Sequence, residues 1–296
     1  MSSGTGRSIE GAETVADAVS VAALLAEAGR WGLAPLDAQL LLARATGLSR
    51  ALLLAHGERD VAAAEAGQFR GDCTRRASGE PLAYIEGRKE FWSLDLVVTP
   101  DVLVPRPETE LLVELALQRL PAGPQQVADL GTGSGAIALA LAHERPQWQL
   151  YAVDASAAAL AIAQGNAARL GLGNVRFLRG NWCEPLGNQH FDAILSNPPY
   201  VAAADPALDM LRHEPRSALA SADDGYADLL AIAAAARSHL RPGGLLLLEH
   251  GATQAPRLAD ALVACGYARV VCHPDLAGLS RVTEAHWPGQ ISSTTG

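Results

Sequence analysis

From residue 126 onward, short apolar runs alternate with longer alanine-rich ones, and this constrains the chain more than any other feature. QVADL precedes GAIALALAHE and QLYAVD precedes SAAALAIAQGNAARLG; VRFLRG and FDAILS then lead to YADLLAIAAAARSHL, GLLLLEH, a segment near 253–264 and ARVVCHP. The short runs read as strands and the long ones as helices, since alanine favours the helix. Strands separated by helices of that length are joined by crossovers, so the sheet is mainly parallel and covered by helices on both faces. A composition of 49 % apolar and 19 % charged residues suits such a buried sheet. Ligands bind such sheets beyond the carboxyl ends of the strands. The chemistry should therefore lie in residues that directly follow strands.

The first part of the chain differs. Residues 13–80 read as a small helical bundle, with leucine clusters at Leu24–Leu25, Leu40–Leu42 and Leu52–Leu54. Gly32, Gly47 and Gly57 suit helix ends, and Pro35 and Ser49 suit helix starts. Residues 82–104 bring β-branched and aromatic residues in partial alternation, with turns near Gly87 and Ser93, and predict a β-hairpin in a linker over 81–105. A catalytic domain then spans 106–288, opening on a helix that starts near Pro107 and carries Leu111, Leu112 and Leu115 on one face. The small polar ends, 1–12 and 289–296, are expected to fray.

The first strand-to-helix turn reads VADLGTGSG, with Gly131, Thr132, Gly133, Ser134 and Gly135 before the helix. Glycines suit a sharp turn or a ligand lying directly on the backbone. The second strand ends in Asp154, where a carboxylate accepts the two hydroxyls of an adenosine ribose. The spacing is GxGxG, without the further glycine of a pyrophosphate-binding loop, so a nucleoside such as S-adenosylmethionine fits better than a dinucleotide. Asp129 is placed to bond loop amides or the cofactor's amino-acid end, and Trp182, after the third strand, to stack on or flank the adenine.

The strand FDAILS runs into Asn197-Pro198-Pro199-Tyr200, the most specific local signal. Two prolines fix φ and remove two amide donors, so the loop is stiff. The Asn197 side-chain oxygen and the Pro198 carbonyl can accept the two N–H groups of a planar NH₂. Tyr200 offers a flat face to the group that carries it. This points to methyl transfer onto an amide or an aromatic amine, by positioning and electrostatics rather than by a strong general base. An adenine N6-specific nucleic-acid methyltransferase is the alternative, and it would need a basic groove and a base-reading domain.

The net charge of −9 argues against direct nucleic-acid binding. The four cysteines form no CxxC pair, and no zinc-ligand spacing is present, so no metal is expected. The start lacks an apolar signal core and no run reaches membrane-spanning length, so no membrane association and a cytoplasmic location are expected.

The stretch 81–110, PLAYIEGRKEFWSLDLVVTPDVLVPRPETE, together with DLGTGSGAIALALA, NPPY, HEPRSAL, PGGLLLLEHG and SRVTEAHW, resembles the PrmC/HemK family of release factor glutamine methyltransferases from about residue 15 to 287. The resemblance implies a class I S-adenosylmethionine-dependent methyltransferase fold, Rossmann-like, with an N-terminal helical substrate-recognition domain. It implies cofactor contacts from Gly131 to Gly135, Asp154, Trp182 and Asn197. Glutamine contacts are implied from Asn197, Pro198, Pro199 and Tyr200, with Phe91, Arg106 and Glu108 helping to line the pocket. The implied substrate is the glutamine of the Gly-Gly-Gln motif in bacterial class 1 peptide chain release factors. Asn181 and Cys183 flank Trp182 where the family often carries Asp and Phe.

Overall fold

The computed structural model describes residues 19–289. The expected polar ends, apart from Gly289, and the start of the helical segment at residue 13 lie outside the described residues. The chain parts into two units between Glu86 and Gly87.

The first unit carries α1 (Val21–Arg30), α2 (Pro35–Thr46), α3 (Arg50–Ala55), α4 (Ala63–Ala77) and α5 (Leu82–Glu86). Sequence punctuation explains these limits. Pro35 opens α2, where its missing N–H costs nothing, and Gly47 closes it at φ +68°. The Ser49 hydroxyl caps α3 by accepting from the Leu52 amide. Leu24, Leu41, Leu42, Leu53 and Phe69 form one buried core. A two-residue bridge, Val19–Ser20 against Asp60–Val61, closes the unit.

The expected hairpin is shorter than 82–104. Only β1 (Arg88–Phe91) and β2 (Leu94–Val97) pair, turning on Trp92 and Ser93 at φ +51° and +59°. Residues 82–86 are helical instead, because Pro81 starts a turn of helix-tolerant residues that Gly87 ends at φ +74°.

Beyond the hairpin come α6 (Glu110–Arg119), β3 (Gln126–Leu130), α7 (Ala136–Glu144), β4 (Gln149–Asp154), α8 (Ala157–Leu170), β5 (Val175–Arg179) and β6 (Phe191–Ser196). They are followed by α9 (Ala227–Ala236), β7 (Leu240–Glu249), α10 (Ala255–Ala264), β8 (Ala268–Pro274) and β9 (Ser280–His286). The seven strands lie in the order β8-β9-β7-β6-β3-β4-β5. Strands β7, β6, β3, β4 and β5 run parallel, and β9 pairs antiparallel with both β7 and β8.

The continuous apolar run of β7 reflects burial on both faces. Leu245 and Leu247 join the core that includes Leu112 and Leu139, while Leu246 and Leu248 join the one that includes Ile232 and Leu258. Among the described residues no helix is long and apolar enough to cross a membrane.

Candidate functional site

Parallel register brings the motifs together. Leu130 pairs with Val153 on one side and Ser196 on the other, so the glycine loop lies between Asp154 and Asn197 at one sheet edge. The Ser196 hydroxyl locks this edge by donating to the Leu130 carbonyl at 2.6 Å. A cavity of about 540 Å³ opens there, lined by Gly131, Gly133, Asp154, Trp182, Asn197 and Pro199 among others. That is the size range of small-molecule sites.

Gly131 sits at φ +75°, and a Cβ on it would lie 3.3 Å from the Trp182 ring. Only glycine gives both that backbone angle and that approach. The Asp154 carboxylate is already engaged, its Oδ2 accepting from the Gly133 amide at 2.9 Å and its Oδ1 from the Ser156 amide at 2.8 Å. The cap of α8 is Ser156, whose hydroxyl accepts from the Ala159 amide. Each Asp154 oxygen keeps a further lone pair for a ligand hydroxyl.

The remaining loop residues shape the turn. The buried Thr132 hydroxyl donates to Asp129 Oδ2 at 2.6 Å. The Ser134 carbonyl accepts from the buried Asn166 amide, which also bonds the Val97 backbone at the end of β2. Gly135, at φ +88°, starts α7 where a Cβ would meet Leu139 and Ala163. Asp129 is fully buried; burial first, and the Asp154 charge in addition, push its carboxyl up to about 7 against the Thr132 and Ala138 bonds.

At the other end of the site, Asn197 also lines a second cavity of about 100 Å³ with Pro198, Tyr200 and Arg106. The Asn197 side chain is oriented by its Nδ2, which donates to Thr109 Oγ1 at 3.0 Å, leaving Oδ1 as its outward end. Tyr200 is fixed twice. Its hydroxyl donates to Glu249 Oε1 at 3.3 Å, and its carbonyl accepts from Gln254 Nε2 at 3.1 Å.

Of the three implied pocket residues outside these motifs, Arg106 reaches the small cavity, paired at 2.5 Å with the buried Glu214 of HEPRSAL. Phe91 does not. It is 1 % exposed in the core with Leu112 and Leu139, because the alternation of β1 turns it inward beneath the hairpin. Glu108 is exposed and lines neither cavity.

Sequence reasoning assigned no role to Thr109, Glu214, Glu249, Gln254 or the cavity-lining segment Pro100–Leu103. A signal for Glu249 exists, since a carboxylate directly ends the apolar run of β7 at the ligand edge.

Glu249 is wholly buried, and burial pushes its carboxyl up to about 7, against the Thr109 hydroxyl, the Arg281 charge and the Tyr200 hydroxyl. Below the ordinary value of 4.5 the group is neutral in both the folded and the unfolded chain. Above it the unfolded chain ionises first, so the contribution to stability is present at low pH and lost as pH rises through about 7. Glu249→Gln cannot ionise, so its melting temperature relative to the parent should climb from about pH 5 to about pH 7 and then level off. Melting curves across that range check this; a constant difference would mean that the carboxyl is ionised throughout.

A model of the methyltransferase small domain matches residues 108–221, and one of the PrmC N-terminal domain matches residues 19–87. The chain is 51 % identical to a release factor glutamine methyltransferase of Xylella fastidiosa, over 86 % of this chain and 93 % of that one. It is 49 % identical to one of Coxiella burnetii over 84 % and 91 %, and 45 % identical to one of Escherichia coli over 83 % and 90 %. Among solved structures, a methyltransferase from Pyrococcus furiosus matches with a TM-score of 0.52 at 21 % identity, covering 67 % of this chain and 90 % of that one. Fold and carboxyl-edge cavity define a class I methyltransferase, Rossmann-like and mainly parallel. Identity at this level over most of both chains narrows the class, and the chain belongs to the release factor glutamine methyltransferase family.

Proposed function

We propose that the protein transfers a methyl group from S-adenosylmethionine to the side-chain amide nitrogen of the glutamine in the Gly-Gly-Gln motif of class 1 peptide chain release factors. The observation that carries this reading is the position of Asn197. It is shared by the two cavities, with its Nδ2 anchored on Thr109 and its Oδ1 left as an acceptor.

The residues of the larger cavity fit the cofactor. Gly131 offers bare backbone under Trp182, and Asp154 offers acceptors for ribose hydroxyls. When bound, S-adenosylmethionine supplies a methyl group on a sulfonium, an electrophile that already carries its leaving group. Asn197 Oδ1 and the Pro198 carbonyl accept the two amide N–H groups, which enriches the nitrogen and aims its lone pair. The Tyr200 ring lies against the planar carboxamide. The N–C bond would form as the methyl–sulfur bond breaks, leaving the neutral thioether, and the nitrogen would then release one N–H proton through Asn197 or to water, so no side-chain base is required. The helical unit, residues 19–86, serves as the substrate-recognition domain. The acidic balance, −9 overall, favours a protein substrate over nucleic acid, and the protein acts in the cytoplasm.

The test is to incubate the protein with methyl-labelled S-adenosylmethionine and a class 1 release factor, either intact or with its motif glutamine changed to alanine. Label on the intact factor alone is expected. Equal label on both would overturn the reading.

A further inference from the structure

Past the Asn197 tetrapeptide the chain makes an excursion and returns. Val201–Ala202 pairs in parallel with Ala220–Ser221, and the chain then turns through Asp223, Asp224 and Gly225 at φ +51°, +51° and +88°. Three successive left-handed residues, two of them with side chains, are unfavourable unless their surroundings impose them. The turn is also pressed onto Tyr200, since a Cβ at Gly225 would overlap the Tyr200 carbonyl oxygen.

Gln254 holds this contact closed. It directly precedes α10 and is 6 % exposed. Its Nε2 donates to the Tyr200 carbonyl at 3.1 Å and to the Gly225 carbonyl at 3.2 Å, and its Oε1 accepts from the Gly251 amide at 2.8 Å. A carboxamide carries two N–H donors on one arm and an acceptor on the other. Two carbonyls facing one arm and an N–H facing the other leave it a single orientation. All three partners are backbone atoms, so one side chain joins three segments that are distant in sequence.

The third segment completes the frame around the tyrosine. A Cβ at Gly251 would lie 3.7 Å from Tyr200 Cδ2, so bare backbone faces the ring there, while Glu249, two residues earlier, accepts from the Tyr200 hydroxyl. The stretch 249–254 therefore meets Tyr200 at its hydroxyl, at its ring and at its carbonyl. Gln254 itself lines neither cavity, so its effect reaches the reaction only through Tyr200.

We propose that Gln254 is a positioning residue for methyl transfer: it staples the Tyr200 carbonyl and the 223–225 turn to the loop after β7, and so fixes where the Tyr200 ring meets the substrate. The proposal rests on the reading that this ring lies against the carboxamide of the substrate glutamine.

The test is a double-mutant cycle read by labelled-methyl turnover on a release factor. Gln254→Met keeps the length of the side chain but removes both donors and the acceptor, and should lower kcat about 30-fold, within the cost of misplacing a reacting group. Cofactor Kd by calorimetry should stay within about threefold, since none of the three bonds reaches the glycine loop or Asp154. Tyr200→Ala should itself lower kcat at least as far. In that background no ring is left to place, so Gln254→Met should cost no more than about threefold further, because the two act in series. Gln254→Glu keeps the acceptor for Gly251 and loses the two amide donors. It should reproduce the losses of Gln254→Met, and it takes that variant's place in the cycle if methionine prevents folding.

Parent-like kcat in both Gln254 variants, an equal loss in both backgrounds, or a rise in cofactor Kd matching the fall in kcat would overturn the staple alone. Parent-like kcat in Tyr200→Ala, or failure of the parent protein to label the release factor, would overturn the underlying reading, and the staple with it.

Discussion

Asn197→Ala should lower kcat by about 2–4 kcal/mol, roughly 30- to 1,000-fold, while the cofactor Kd changes little. The size follows from what the side chain does. In the proposed reading its oxygen holds one N–H of the substrate amide, a contact that strengthens as the nitrogen gives up its lone pair, so the loss falls on the transition state. The side chain is already anchored through Nδ2 to Thr109, so little ordering is left to be done on binding. The cofactor contacts proposed at Gly131, Asp154 and Trp182 belong to other strand ends of the same cavity, so alanine at 197 leaves them in place and turnover falls far more than cofactor affinity. Single-turnover rates and calorimetry on the same preparations separate the two quantities. Turnover within about threefold of the parent would remove Asn197 from its proposed role.

The second large effect should have the opposite signature. Asp154→Ala should weaken cofactor binding by about 2–3 kcal/mol, roughly 30- to 150-fold in Kd, the scale of hydrogen bonds to a charged group. Turnover at saturating cofactor should fall far less. Part of the loss comes from the loop itself, because the carboxylate accepts from the Gly133 and Ser156 amides, and removing it frees the turn proposed to carry the nucleoside. Asp154→Asn keeps the shape and one acceptor, and should fall between alanine and the parent. Titration calorimetry checks both variants, with a melting curve to confirm that the fold persists. An unchanged dissociation constant in Asp154→Ala would contradict the ribose assignment.

A kcat effect at Asn197 and a Kd effect at Asp154 would mark the two ends of one site. Their separation follows from the sheet, which sets the carboxyl ends of β4, β3 and β6 side by side.

Much of this was legible before any coordinates. Each apolar run from QVADL to ARVVCHP became the element it suggested, because burial on both faces leaves an unbroken apolar strand, while the longer alanine-rich stretches favour the helix. Gly131 and the Asn197 tetrapeptide stood out because strained or stiff backbone requires glycine and proline locally. Other details were not legible. Thr132 and Ser134 are polar residues in the glycine loop, and both are buried, the Thr132 hydroxyl bonded to Asp129 and the Ser134 carbonyl to Asn166. Phe91 is an aromatic residue in a linker that resembles a pocket wall, but four residues of alternation do not say which side of a hairpin is covered.

The sequence by itself determined the kind of sheet, the order of its elements and the fact that the distinctive loops follow strands. These depend on periodicity and on backbone preferences that each short segment carries alone. The tertiary structure decided which loops meet and how their side chains face. Asn197 finds Thr109 across 88 positions, Arg106 finds Glu214 across 108, and Tyr200 finds Glu249 across 49. Such pairings are chosen by strand register and helix packing acting together. No local pattern encodes them, and the bond to Thr109 that orients the Asn197 amide belongs to this second kind.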